Sequence, residues 1–172
     1  MLYVVVEVSG VTVLDNVMYV VCAWSSTIRL YNTDTHSPLD LVINGVGMNA
    51  PCDIVVCRDD RQLYVADWPA SVWRVSVSDH SYVKWLSTES TTDTFYTLSV
   101  TSRRLLVTSL PSRRLRQYST TDRQLLRVVE LPWYMSEVHH GVETTRGTFV
   151  VGHRGTSQYE LHYAVSELFC PK

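Results

Sequence analysis

An all-β fold made of four copies of one antiparallel sheet follows from three features of the sequence. The chain of 172 residues is 45% hydrophobic, with ten tyrosines, five tryptophans and abundant valine, serine and threonine. Such side chains favour pleated, half-buried surfaces over helices. The stretch from Cys52 to Leu86 then holds four short β-branched and aromatic runs, Asp53 to Val56, Leu63 to Ala66, Val72 to Val77 and Tyr82 to Leu86, separated by polar or proline-bearing turns. That is a four-stranded meander. Finally, the meander recurs. Its second-strand valine aligns as Val20, Val65, Val107 and Val151, at spacings of 45, 42 and 44, and the first apolar residue of its third strand aligns as Ile28, Val72, Leu115 and Tyr159, at 44, 43 and 44. A four-stranded unit with a period near 44 has the size of one propeller blade, so the expected architecture is a β-propeller of four blades.

In chain order, blade one spans about residues 10–47, with strands at Val11 to Leu14, Met18 to Val21, Ile28 to Tyr31 and Leu39 to Ile43. Asn44-Gly45-Val46-Gly47 leads to blade two, about 52–90. Blade three, about 95–131, has Tyr96 to Val100, Leu105 to Thr108, Leu115 to Tyr118 and Leu125 to Val129. Blade four, about 138–166, has Gly141 to Thr144, Phe149 to Gly152 and Tyr159 to Tyr163, with Arg146-Gly147 in its first turn. Its outermost strand is missing from the pattern, whereas Leu2 to Val8 is a surplus strand ahead of blade one. Two readings stand: Leu2 to Val8 completes blade four and closes the ring, or it belongs to a preceding blade.

Leu63-Tyr64-Val65-Ala66-Asp67 followed by Val72-Trp73-Arg74-Val75 resembles the core of NHL repeats. The resemblance covers all four repeats in pattern and one in motif, because Cys22, Ser109 and His153 stand where blade two has Asp67. It implies a propeller related to WD-repeat rings. NHL rings usually have six blades, so four blades imply a fragment of a longer ring, a compact four-bladed ring, or two copies joined head to tail.

Propellers bind ligands at their rims and along their central channel. Trp24 and Trp68 both lie four residues before their third-strand marker, in the second turn of adjacent blades, and the same turn carries Arg113 and Arg114 in blade three and Arg154 in blade four. Aromatic and arginine side chains together are the composition of interface hot spots. The expectation is a non-catalytic binding module whose rim takes a protein or peptide; the plainer reading of each tryptophan is that it folds back over its own blade edge.

Charge is segregated: residues 1–94 carry five basic against eleven acidic side chains, and residues 95–131 carry seven arginines against Asp122 and Glu130. Single-stranded RNA on the arginine-bearing blade is therefore an alternative partner, as the family resemblance also implies. Against it, Arg103 and Arg104 lie in a first turn and Arg113 and Arg114 in a second, which emerge on opposite rims. The plainer role is pairing with the acidic first half. The resemblance also suggests a metal-dependent lyase or lactonase, with Glu137, His139, His140, Glu143, His153 and His162 of blade four as candidates and Thr12, Asp53, Thr97 and Ser99 on the other inner strands. Only Asp53 of these four is a convincing ligand, so no cofactor or metal is expected. The four cysteines, Cys22, Cys52, Cys57 and Cys170, form no ligand pairs and fit a reducing, cytoplasmic setting. The longest apolar run, Val17 to Trp24, is eight residues, too short for a membrane helix.

Overall fold

The computed structural model describes residues 7–44, 47–87, 94–135, 137–154 and 159–165, with Arg154 and the last seven described by their backbone. Among the described residues, fifteen strands form four antiparallel sheets. The first contains β1 (Val8–Leu14), β2 (Val17–Cys22), β3 (Thr27–Asn32) and β4 (Pro38–Asn44). The second contains β5 (Pro51–Cys57), β6 (Gln62–Asp67), β7 (Ser71–Ser76) and β8 (Tyr82–Ser87). The third contains β9 (Thr94–Thr101), β10 (Arg104–Leu110), β11 (Arg114–Ser119) and β12 (Leu125–Glu130). The fourth, among the described residues, contains β13 (Val138–Glu143), β14 (Phe149–Arg154) and β15 (Tyr159–Val165). Within each sheet the strand order follows the chain. This is the meander expected from the repeat.

The sheets stack as blades, with β1 packed beside β5, β5 beside β9 and β9 beside β13. Three cores fill the junctions. Leu14, Tyr19, Val21 and Ile28 of blade one meet Ile54, Leu63, Val65 and Trp73 of blade two. Tyr64, Ala66, Val72 and Trp85 on the other face of blade two meet Phe95, Leu98, Leu105 and Val107 of blade three. Leu106 and Leu115 meet Val138, Phe149 and Val151 of blade four. Period-two alternation thus feeds both faces of a central blade, which is why its strands read as near-continuous apolar runs. Among the described residues, β13 makes no comparable packing against β1.

The second-strand valines are equivalent in register: Val20 pairs with Val11, Val65 with Ile54, Val107 with Leu98 and Val151 with Gly141. The third-strand alignment needs one correction. Val21, Ala66 and Thr108 pair with Ile28, Val72 and Leu115, but the equivalent Gly152 pairs with Leu161, so Leu161 and not Tyr159 is the fourth marker. Gly152 and Leu161 are nine residues apart where the earlier pairs are six or seven apart, and this shifts the phase.

A second correction concerns the innermost strands. β1 and β13 each begin three residues before the runs Val11 to Leu14 and Gly141 to Thr144. Each innermost strand carries a bulge near its start, with Ser9, Cys52, Tyr96 and His139 as the extra residues, at spacings of 43, 44 and 43. A bulge opposes two residues to one and so breaks strict alternation, which hides the first part of the strand from a period-two reading. Val8 accordingly pairs with Cys22 inside β1, and Ala23 N donates to Glu7 O at 2.8 Å, so neither residue belongs to a separate outer strand. Leu2 to Val6 lie outside the described residues. Just past the first bulge, Gly10 is required: a Cβ there would stand 2.8 Å from Ile54 N and 3.0 Å from Asp53 Cα, so its absence lets two inner strands approach backbone to backbone.

Candidate functional site

Turns between second and third strands gather on one rim of the blades, together with the linkers that cross from one blade to the next. Trp24 and Trp68 both stand on this rim with large exposure, 79% and 49%. They line one groove of about 480 Å³ with Glu7, Val8, Cys52 and Tyr96, and Ser9 completes its floor. Three of the four bulge residues, Ser9, Cys52 and Tyr96, thus open onto this groove, and the fourth, His139, packs edge-on against Tyr96 with ring centroids 6.3 Å apart.

The groove is held rigidly from beneath. Ser9 Oγ donates to Pro51 O at 2.6 Å and ties β1 to β5. Asp67, 2% exposed, accepts hydrogen bonds from Asn49 N at 2.9 Å, Ala50 N at 2.8 Å and Trp73 Nε1 at 3.1 Å. One carboxylate therefore fixes the linker entering blade two and the turn that carries Trp68. Cys22, Ser109 and His153 occupy the same register position as Asp67 and are equally buried. Ser109 Oγ accepts from Arg116 Nη1 at 2.7 Å. Burial, with the Asp67 and Asp53 carboxylates adding to it, pushes the Cys52 thiol up, so it stands as a neutral thiol at neutral pH.

The arginines assigned to the same rim are placed differently. Arg113 Nη1 donates to Trp133 O at 2.8 Å, and Arg114 contacts Glu130 Oε1 through Nε at 3.2 Å and Nη2 at 3.0 Å. Both brace blade three and neither lines the tryptophan groove. Arg154 is the last residue of β14, in register with Tyr159; its side chain lies outside the described residues. Two rim aromatics are absent from the sequence expectation. Trp133 and Tyr134, 81% and 51% exposed and edge-on to each other, sit in the linker from blade three to blade four. The signal was a Pro-Trp-Tyr cluster outside any strand run. For Tyr96 the only signal was its period of 44 from Cys52.

The opposite rim, made of first and third turns, is ionic. Arg61 Nη2 pairs with Asp15 Oδ2 at 3.0 Å between blades two and one, and Arg103 Nε pairs with Asp60 Oδ1 at 3.2 Å between blades three and two. Between blades three and four, Arg104 Nη1 and Arg127 Nη2 each reach Glu143 Oε1 at 3.3 Å, while Gln117 Nε2 donates to Glu143 Oε2 at 2.8 Å. The arginine-rich blade thus directs much of its charge toward carboxylates of its neighbours and itself.

The central channel is a cavity of about 550 Å³ lined from all four inner strands, by Thr12, Asp53, Ser99 and His140 among others. Asp53 Oδ2 accepts from Leu98 N and Oδ1 from Ile54 N, both at 2.8 Å, and burial nonetheless raises its carboxyl above the usual range. The bulge at His139 sends His140 to this channel, while His139 packs against Tyr96 at the rim.

No family model matches the sequence, and no curated protein matches it. Solved structures do resemble the fold. The computationally designed Ika4 protein superposes with a TM-score of 0.66 at 15% identity, over 92% of this chain and 92% of its own. The WD40 β-propeller domain of Doa1 superposes at 0.67 with 16% identity, over 85% of this chain and 47% of its own. Kuenenia stuttgartiensis hydrazine synthase gives 0.69 at 14%, over 85% of this chain and 43% of its own. The chain spans less than half the length of the last two. What it shares with these structures is the architecture, blades of antiparallel strands set round a common axis: the fold is a β-propeller.

Proposed function

We propose that this chain is a non-catalytic binding module, a propeller scaffold that presents its second-turn rim to a protein or peptide. One observation carries the reading: Trp24 and Trp68, from adjacent blades, leave their rings without a hydrogen-bond or ring partner among the described residues while lining a single groove. Aromatic anchors of this kind dominate interface energetics because they bury large rigid surfaces with little loss of side-chain freedom. Asp67 beneath them supplies the preorganisation that limits the entropic cost of binding. The NHL-like character rests on the motif around that same residue, and the three described free thiols suit a reducing, cytoplasmic setting.

RNA as the partner is less well supported, since Arg103, Arg104, Arg114 and Arg127 already face carboxylates. The test is selection from a random peptide library on the intact chain, with the Trp24→Ala/Trp68→Ala double variant as counter-selection. Peptides that bind the parent at least tenfold tighter than the double variant support the reading. Peptides that bind both equally overturn it.

A further inference from the structure

Resting on that reading of the rim, we infer that the tryptophan groove recognises a basic side chain, an arginine or lysine displayed by an extended peptide. Among the described residues that line it, the charge of the groove has one sign. Glu7 is the only charged residue lining it and makes no ion pair among the described residues. The buried Asp67 and the half-buried Asp53, which lines the central channel, are both near enough to Cys52 to act on its thiol. Backbone amides and the Trp73 indole satisfy Asp67, and two amides satisfy Asp53, with His140 nearby; neither has an arginine or lysine partner among the described residues.

None of the five basic residues of the first half lines the groove. Arg58 and Arg61 reach Val13 O and Asp15 on the opposite rim, and Lys84 lies over the Trp73 ring at 5.2 Å on an outer strand. A cation is attracted to the face of an indole by the ring quadrupole, and more strongly where water is partly excluded. Two open indole faces, a tyrosine and a carboxylate on one wall therefore offer a cation complementary surfaces on several sides. The groove's volume of about 480 Å³ accommodates a long side chain and flanking backbone. The same field repels phosphate, which sets a peptide apart from a nucleic acid at this site.

The experiment uses four capped peptides of one length, with arginine, lysine, norleucine or glutamate at the centre of an otherwise identical glycine-serine frame, titrated against the intact chain by calorimetry. The arginine and lysine peptides are expected to bind at least tenfold tighter than norleucine, with glutamate weakest and affinity falling as salt rises. Trp24→Ala and Trp68→Ala should each reduce binding about tenfold, and Glu7→Gln several-fold, with unchanged thermal midpoints showing that these exposed substitutions leave the fold intact. Norleucine binding as tightly as lysine, or glutamate binding tighter, overturns the cation inference while leaving a peptide-binding rim. Absence of binding by all four overturns the inference, and the library selection then decides the rim by itself. A uridine oligonucleotide that binds and is lost in Trp24→Ala overturns both.

Discussion

The two rims of this propeller use polar and aromatic side chains in opposite ways. On the first-turn rim, arginines and carboxylates from neighbouring blades close on each other, so that the chemistry of the surface is consumed in holding blades together. On the second-turn rim, the Asp67 carboxylate is buried beneath the surface and the Trp24 and Trp68 rings above it are left open. Ionic pairing and open aromatic surface are thereby divided between two ends of one scaffold. The ionic rim is itself graded. The side chains of Asp15, Asp60 and Glu143 are 62%, 22% and 1% exposed, so three pairs with similar separations differ in what their loss leaves behind. Coulomb attraction across an exposed pair is nearly cancelled by screening and side-chain entropy, whereas removing one buried partner strands the others.

Breaking the buried end should have the largest effect. Glu143→Ala deprives Arg104, Arg127 and Gln117 of their shared acceptor and is expected to cost about 3 kcal/mol in urea unfolding. Peptide affinity at the far rim should not change, and a drop there would show that the two rims are coupled. Asp67→Ala comes next, at about 2 kcal/mol, since it leaves two amides and an indole without an acceptor. It alone should impair both stability and rim binding, because it supports the groove from within. Asp60→Ala removes the partners of Arg103 and Thr120 at intermediate burial, with an expected loss of about 1 kcal/mol.

Tyr64 sharpens the comparison through pH. Its side chain is fully buried behind the ionic rim, and burial pushes its pKa up to about 12. The folded form holds its proton more tightly than the unfolded chain does. The corresponding stability is present below pH 10 and is lost as pH rises from 10 toward 12. Tyr64→Phe should leave stability near neutral pH almost unchanged and flatten its decline above pH 10; an unaltered alkaline profile would contradict this. Smallest of all, Arg61→Ala should cost less than about 0.5 kcal/mol, because both partners of its pair are largely exposed.

Much of this arrangement is legible in the residues. The equivalence of Val20, Val65, Val107 and Val151 follows from their period, and the shared position of Trp24 and Trp68 from their equal distance to the third strand. That Arg104 and Arg113 emerge on opposite rims follows from counting turns. The bulges are not legible, because a single inserted residue leaves the apolar count intact while reversing which face each neighbour takes. That is why His140 faces the channel while its neighbour His139 packs against Tyr96. Nor does the sequence reveal that Tyr96 completes the groove, since it belongs to a different blade from both tryptophans.

By itself, then, the sequence determined the repeated four-stranded meander and the turns that carry the rim residues, which depend on local alternation and a repeat period. The tertiary structure decided what those residues meet. Glu143 joins blade four to arginines of blade three, Asp67 supports a linker some seventeen residues earlier in the chain, and the groove draws on three blades. The physical reason is that strand formation is governed by neighbours along the chain, whereas pairing, burial and the openness of an aromatic face are set by the distance between blades, which no local pattern encodes.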